Sequence, residues 1–344
     1  MVEAMLAAAM FLGVLFAGAS GTAVAAGEEN FVYLGGVPLG IALHADGLIV
    51  TGVGAVVTEE GSVSPLAGSG LRAGDVVKEM NGEETENLYE FRKRVSESEG
   101  EITLLVERDL GEFEVKATPA REAASGKKRL GISLKEDVGG VGTLTFVTQE
   151  GAYAALGHHV CDPETGACAE LQEGRVFDVG IDGVSKGEPG KAGGLIAQLN
   201  RLSPPSGNNE KNTEIGIYGK WTAGAPGKRV RVAERGEAHP GRAQVLSTLE
   251  GREPALYDVD IVKCEPQRAR AQKGLVIAVR DRRLLDKAGG IVQGMSGSPI
   301  LQDGALVGAV THVFISDPTR GYGVYAEFML EEAESIAAEK REAA

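Results

Sequence analysis

Apolar residues in this chain come in short runs cut by turn-forming residues, and that punctuation constrains the fold more than any other feature. Leu48-Ile49-Val50-Thr51-Gly52-Val53, Leu144-Thr145-Phe146-Val147, Val176-Phe177-Asp178-Val179, Val259-Asp260-Ile261-Val262 and Leu275-Val276-Ile277-Ala278-Val279 have the length and composition of strands. Glycine supplies many of the breaks, at 49 of 344 residues, about twice ordinary usage. Aromatic residues are only 5% and no collagen period is present, so tight turns and short strands are favoured over long helices. The fold class read from this pattern is mainly β, and the length suits two domains. The exception is the Glu- and Ala-rich end, residues 328–344, which reads as a terminal helix.

The formal charge is −14, and no uninterrupted basic patch occurs. Binding phosphate needs clustered Lys and Arg, so a nucleic-acid partner is excluded. Residues 4–26 carry no charge and include Met5, Leu6, Phe11, Leu12, Val14, Leu15 and Phe16. Ala23-Val24-Ala25 has the small-x-small pattern of a signal-peptidase site. Ahead of the apolar run stands Glu3, with no Lys or Arg. Export across a membrane is expected, with residues 1–26 as either a cleaved signal peptide or a retained anchor. Of the three cysteines, Cys161 and Cys168 flank the turn signal Asp162-Pro163-Glu164-Thr165-Gly166, a setting for a disulfide in an exported protein, and Cys264 is left over. The spacing of His158, His159, Cys161 and Cys168 matches no standard zinc pattern.

Residues 31–118 resemble a bacterial PDZ domain. The resemblance rests on Gly70-Leu71-Arg72-Ala73-Gly74-Asp75-Val76-Val77 and Met80-Asn81-Gly82, followed by a helix that Asn87 can cap and that puts Leu88, Phe91 and Val95 on one face. Such a domain binds an extended peptide as an added strand and holds its terminal carboxylate with backbone N–H groups. By position, the resemblance puts that loop at Leu39, Gly40 and Ile41. Residues 119–129 read as a linker, and residues 203–212 as the clearest loop.

The strongest short signal is Gly294-Met295-Ser296-Gly297-Ser298-Pro299. A serine between glycines has an exposed hydroxyl and unhindered backbone N–H groups, which acyl transfer needs as nucleophile and oxyanion donors. The base must come from five histidines. His44 and His239 read as surface or turn residues, and His312, on the strand after the serine, as pocket or core. His158 ends an apolar strand, with His159 as its competitor. For the acid that orients the imidazole, Asp281 follows a strand 15 residues before Ser296, and Asp258, Asp260 and Asp286 are alternatives. Spacing does not choose among them.

Residues 130–330 resemble the serine peptidase domain of the stage IV sporulation protein B family. The matching strings are Gly140-Val141-Gly142-Thr143-Leu144-Thr145-Phe146, Ala155-Leu156-Gly157-His158, Lys211-Asn212-Thr213-Glu214-Ile215-Gly216-Ile217-Tyr218-Gly219, Gly289 to Ile300, Gly308 to Phe314, and Asp317-Pro318-Thr319 with Gly321-Tyr322-Gly323. The resemblance implies a chymotrypsin-like double β-barrel at residues 130–335 and a short tail at 336–344. It implies a triad of His158, Asp281 and Ser296, with the N–H groups of Gly294 and Ser296 as oxyanion hole. It further implies a sporulation signalling endopeptidase that needs no metal or organic cofactor. Such an enzyme would act between the membranes around the forespore, cleaving itself and a membrane-bound regulator of sigma-K processing, with the PDZ domain holding a peptide tail. A non-catalytic PDZ scaffold is the first alternative. An HtrA-like quality-control protease is the second, although that family places its PDZ domain after the protease.

Overall fold

The computed structural model describes residues 30–85, 87–108, 111–161, 171–199 and 203–342. The segment expected to direct export and Cys168 lie outside the described residues.

Six antiparallel strands close a first barrel in the cyclic order Pro38–Val53, Ile132–Thr148, Ala152–Ala155, Gly216–Trp221, Gly207–Thr213 and Leu171–Asp178, which returns to Pro38–Val53. Alternation along the strands sends Leu39, Ile41, Leu43, Leu144 and Ile217 into its core. A second barrel closes through Gly241–Ser247, Ala255–Cys264, Leu275–Val279, Asp317–Tyr325, Ala305–Phe314 and Pro299–Gln302. The expected mainly β, double-barrel fold is therefore present. Residues 207–212, read as loop for their Asn, Gly and Lys content, form a barrel strand instead. Asn209 is buried there because its side-chain oxygen accepts a hydrogen bond from Tyr153 Oη at 3.0 Å.

Helix α1 (Leu88–Glu97) starts at the expected cap, with Asn87 Oδ1 accepting from the N–H groups of Tyr89 and Glu90. Helix α2 (Arg282–Ala288) follows the strand Leu275–Val279 and ends on Gly289 at φ +79°. Helix α3 (Ala326–Glu342) leaves the second barrel and lies on the first, burying Phe328, Met329 and Ala333. Its Glu332 pairs with Lys211 of the first barrel at 3.8 Å and with Arg270, which precedes the strand Leu275–Val279 of the second.

The segment resembling a PDZ domain is an insertion in the first barrel. Pro38–Val53 and Ile132–Thr148 run together out of the barrel, paired as far as Val53 and Ile132. Beyond it, Leu48-Ile49 also pairs with Val76-Val77, and the sheet continues through Ile102–Arg108 and Gly111–Ala117. Leu48, Val50, Val77, Phe91, Val95 and Leu104 belong to the separate core of this unit. The boundary at residue 31 is thus corrected. Phe31–Leu34 pairs with Phe146–Thr148 and with Arg229–Arg231, and residues 38–45 are barrel strand. Asp46-Gly47, a pair of turn-forming residues, is accommodated inside one continuous strand. Gly47 sits at φ +119°, with Val77 O only 2.7 Å from where a Cβ would be. The linker expected at residues 119–129 includes a small hairpin, Ala120-Arg121 against Lys128-Arg129.

The loop expected to bind peptide falls inside the barrel. Leu39, Gly40 and Ile41 are buried and paired on both edges, so they offer no free strand edge. A second Leu-Gly-Ile string, Leu130-Gly131-Ile132, lies across from α1 instead. A groove of about 900 Å³ runs between them, with Leu88 and Arg92 on one wall and Gly131 to Leu134 on the other.

Candidate active site

Ser296 enters the second barrel just ahead of the strand Pro299–Gln302, in a turn that needs glycine on both sides. Gly294 and Gly297 both have φ +93°, a conformation that other residues rarely adopt. The turn is clamped from the first barrel. The N–H of Thr143 donates to Ser296 O at 2.9 Å, Thr143 Oγ1 to Gly294 O at 2.8 Å, and Thr145 Oγ1 to Gly297 O at 2.8 Å. From the second barrel, Val310 O accepts the Gly297 N–H at 2.7 Å. Thr143 and Thr145 are both buried, and these bonds use polar groups that burial would otherwise leave unsatisfied. The nucleophile turn is thus built at the seam of the two barrels.

His158 reaches the same cleft from the end of Ala152–Ala155. Leu156 and Gly157 turn the chain there, with φ +69° and +72°. A left-handed leucine costs about 1–2 kcal/mol, a strain the seam sustains to aim the histidine. The side chain of Asn212 fastens Val160, two residues beyond His158, at both ends. Its Oδ1 accepts from Val160 N–H at 2.8 Å and its Nδ2 donates to Val160 O at 3.1 Å. Cys161, next in sequence, is disulfide-bonded, whereas Cys264 is a free thiol.

His158 Nδ1 lies 2.8 Å from the carbonyl oxygen of His159. A carbonyl only accepts, so Nδ1 carries the proton and Nε2 is left as the basic nitrogen. Burial pushes the imidazole below its ordinary pKa. His312 stacks beside it, with ring centroids 4.9 Å apart, and burial, then the neighbouring His158, bring His312 down to about 4. Ser296 Oγ donates to Thr311 O at 2.8 Å.

His158, His159, His312, Gly294 and Ser296 line one cleft of about 530 Å³, and among the described residues its lining includes no Asp, Glu, Lys or Arg. The backbone N–H groups of Gly294 and Ser296 have no protein acceptor among the described residues, and the buried His312 Nδ1 likewise has no partner there. The two N–H groups are those the sequence nominates for an oxyanion. Among the described residues no cluster of His, Cys, Asp or Glu could hold a metal ion.

Asp281 is not brought to this cleft. It is the N-cap of α2, where its oxygens take Arg283 N–H at 2.9 Å, Arg283 Nη2 at 2.7 Å and Asp258 N–H at 3.3 Å. Arg283 above all holds its carboxyl down to about 2. The alternatives also lie elsewhere: Asp258 accepts from Gln244, Asp260 pairs with Arg280, and Asp286 is within α2. The family resemblance pointed to Asp281, which follows Leu275–Val279, and that strand end closes onto α2. Asp281→Asn is expected to keep turnover of the folded protein within about threefold. Loss of the ion pair should lower stability by about 1–3 kcal/mol, above pH 4 and less so as pH falls towards 2. Denaturant unfolding and steady-state kinetics on the same preparation check this, and a 10⁴-fold fall in a folded protein would return Asp281 to a triad.

The model of the SpoIVB peptidase S55 family matches residues 126–330, more than half of the chain. The chain belongs to that family. It is therefore a serine-type peptidase, and protein or peptide is its substrate class. Among solved structures, it is similar to the Rv3671c protease of M. tuberculosis H37Rv in an inactive form, at 16% identity and a TM-score of 0.32, covering 56% of this chain and 84% of that one. It is also similar to the HtrA-type protease AlgW with a decapeptide, at 11% identity and a TM-score of 0.34, covering 89% and 66%. A 53-residue stretch is 45% identical to tight junction protein ZO-3 of Canis lupus familiaris, and a 66-residue stretch is 41% identical to that of Mus musculus. These stretches cover 15% and 19% of this chain and only 6% and 7% of the ZO-3 proteins.

The structure brings His158, Ser296 and Gly294, all named from the sequence, to one cleft. The sequence did not single out Thr143 and Asn212, which hold the Ser296 turn and Val160, although both lie in strings that carry the family resemblance. No catalytic signal marks them, because each acts through a backbone group of another segment.

Proposed function

We propose that the chain is an exported sporulation signalling endopeptidase working through Ser296 and His158. The observation that carries the chemistry is the meeting, in one cleft, of the Ser296 hydroxyl, the His158 imidazole and the two unpaired N–H groups. His158 Nε2 takes the Ser296 proton as Oγ attacks the peptide carbonyl. The N–H groups of Gly294 and Ser296 receive the developing oxyanion. His158 then returns the proton to the leaving amine, and water releases the acyl-enzyme with His158 again as base. In this reading the carbonyl of His159 fixes the imidazole tautomer, the part an aspartate plays in the usual triad.

Family membership supports a role in sporulation. On that basis the enzyme is exported through residues 1–26, cut off or kept as an anchor, and acts between the membranes around the forespore. It cleaves itself and a membrane-bound regulator that restrains sigma-K processing. Expression of wild-type and Ser296→Ala proteins side by side tests this. Self-cleavage and fluorophosphonate labelling are expected in the first and lost in the second. A folded wild-type protein showing neither would leave the non-catalytic scaffold as the better reading.

The inserted unit is read as a PDZ-like docking module. Ile132 to Leu134 pairs with Pro38–Val53 on one edge and faces the α1 groove with the other. An apolar peptide C-terminus fits there as an added strand. Leu88→Asp, at the groove wall, is expected to weaken binding of a labelled apolar C-terminal peptide about tenfold or more, with catalysis on a short peptide unchanged. Unchanged polarisation titrations would place the docking site elsewhere.

A further inference from the structure

The oxyanion hole is only half built by the nucleophile turn. In a trans peptide the N–H points opposite to the carbonyl of the preceding residue. Whatever holds the carbonyls of Gln293 and Met295 therefore aims the N–H groups of Gly294 and Ser296. Met295 O is held inside the turn, by the N–H of Ser298 at 2.9 Å. Gln293 O is held from outside, by the N–H of Leu195 at 2.8 Å, while Gln293 N–H donates to Gly193 O at 2.9 Å.

Leu195 belongs to a hairpin, Ile181–Ser185 paired with Gly194–Ala197, that leaves the first barrel after Leu171–Asp178 and lies on the second. Its anchors there are Gly187 N–H to Ala288 O and Gly190 N–H to Ile315 O, both 2.8 Å, and the pairing of Ile181 with Gly251. The contact is close. A Cβ on Gly193 would stand 2.7 Å from Val292 Cγ1, and one on Gly294 would stand 2.9 Å from Leu195 Cβ. Ala192, Gly194 and Leu195 also line the catalytic cleft.

We infer that Leu195 is a positioning residue for acyl transfer: its backbone N–H, carried by this docked hairpin, fixes the Gln293 carbonyl and so turns the Gly294 N–H into the oxyanion hole. The inference rests on the serine peptidase reading. With the hairpin seated, both donors face the cleft. With it displaced, the Gln293–Gly294 peptide is free to rotate, and one of the two donors leaves.

The Leu195 N–H donates to Gln293 and not to the hairpin partner strand, so proline there deletes the bond to the nucleophile turn alone. Leu195→Ala keeps the N–H and is the matched control. The measurements are kcat and KM on a peptide ester, the affinity for a peptidyl trifluoromethyl ketone, whose hemiketal oxyanion needs the hole, and the Tm of each variant. Leu195→Pro is expected to lose on the order of 10²-fold in kcat and in ketone affinity, with KM within about threefold of wild type. Leu195→Ala, which shortens a cleft-lining side chain but keeps the N–H, is expected to lose at least about tenfold less kcat and ketone affinity than Leu195→Pro. Equal losses in the two variants, or a Leu195→Pro enzyme with wild-type kcat, would overturn the role of the N–H. If Leu195→Pro does not fold, Gly193→Ala, which lifts the same hairpin, must show the same selective loss of kcat. Retention of kcat there would count against the inference equally. A wild-type protein that neither hydrolyses the ester nor binds the ketone would overturn the peptidase reading, and the hairpin's role with it.

Discussion

Ser296→Ala is expected to lower kcat for peptide hydrolysis by roughly four to six orders of magnitude, and His158→Ala by a similar factor. The double variant should be little worse than either, because nucleophile and base act as a unit. Residual turnover would come from substrate binding and the N–H groups of Gly294 and Ser296. The pH profile separates the His159 carbonyl from a carboxylate as the group behind His158. A carboxylate would stabilise the imidazolium and raise its pKa, whereas burial without one lowers it. The base must be neutral, so kcat/KM should stay at its plateau as pH falls through the ordinary histidine value of about 6.5. It should drop only below that value. His312 stays neutral until about pH 4, so it adds no positive charge beside His158 over most of that window. Stopped assays of wild type from pH 4 to 8 check the limb. A midpoint at or above 6.5 would mean that an acid, not the His159 carbonyl, faces Nδ1.

The double barrel was legible because its strands carry their own signals: apolar alternation such as Leu39, Ile41 and Leu43, and glycine at the turns. The turn that carries Ser296 was legible for a local reason as well, since a serine between two glycines is a turn with an exposed hydroxyl. What the sequence obscured was connectivity in space. Pro38–Val53 serves two cores, sending Leu39 and Ile41 into the barrel and Leu48 and Val50 into the inserted unit. A reader of one chain meets a single apolar stretch there and assigns it to one domain. The same limit applies to Asp281, which the structure places away from the cleft. Asp281 follows a strand and precedes a serine, but Arg283 two residues on, and the N-terminus of α2, claim its carboxylate. Thr143, Asn212 and Leu195 act through backbone groups distant in sequence, which leave no residue-type signature.

The seam between the barrels is most sensitive at Gly297, where substitution by alanine is expected to destabilise the protein by about 4 kcal/mol or more. Its Cβ would fall 2.0 Å from Thr143 O and 2.5 Å from Leu156 N, both backbone atoms of the first barrel. Neither can rotate away, and the backbone there is at φ +93°. The damage would reach Ser296 directly. Separating Thr143 from the turn breaks the bonds that hold Ser296 O and Gly294 O, so the folded fraction should also lose kcat by at least about tenfold. Gly304 supplies the control. It too has positive φ, at +80°, but nothing stands within 4 Å of its Cβ position. Gly304→Ala therefore measures conformational strain alone, about 1–2 kcal/mol, and should leave kcat intact. Denaturant unfolding with active-site titration of both variants resolves the two costs. Equal stability of the two variants would mean that the carbonyl of Thr143 is not seated against the nucleophile turn, and the clamp that positions Ser296 would have to be sought elsewhere.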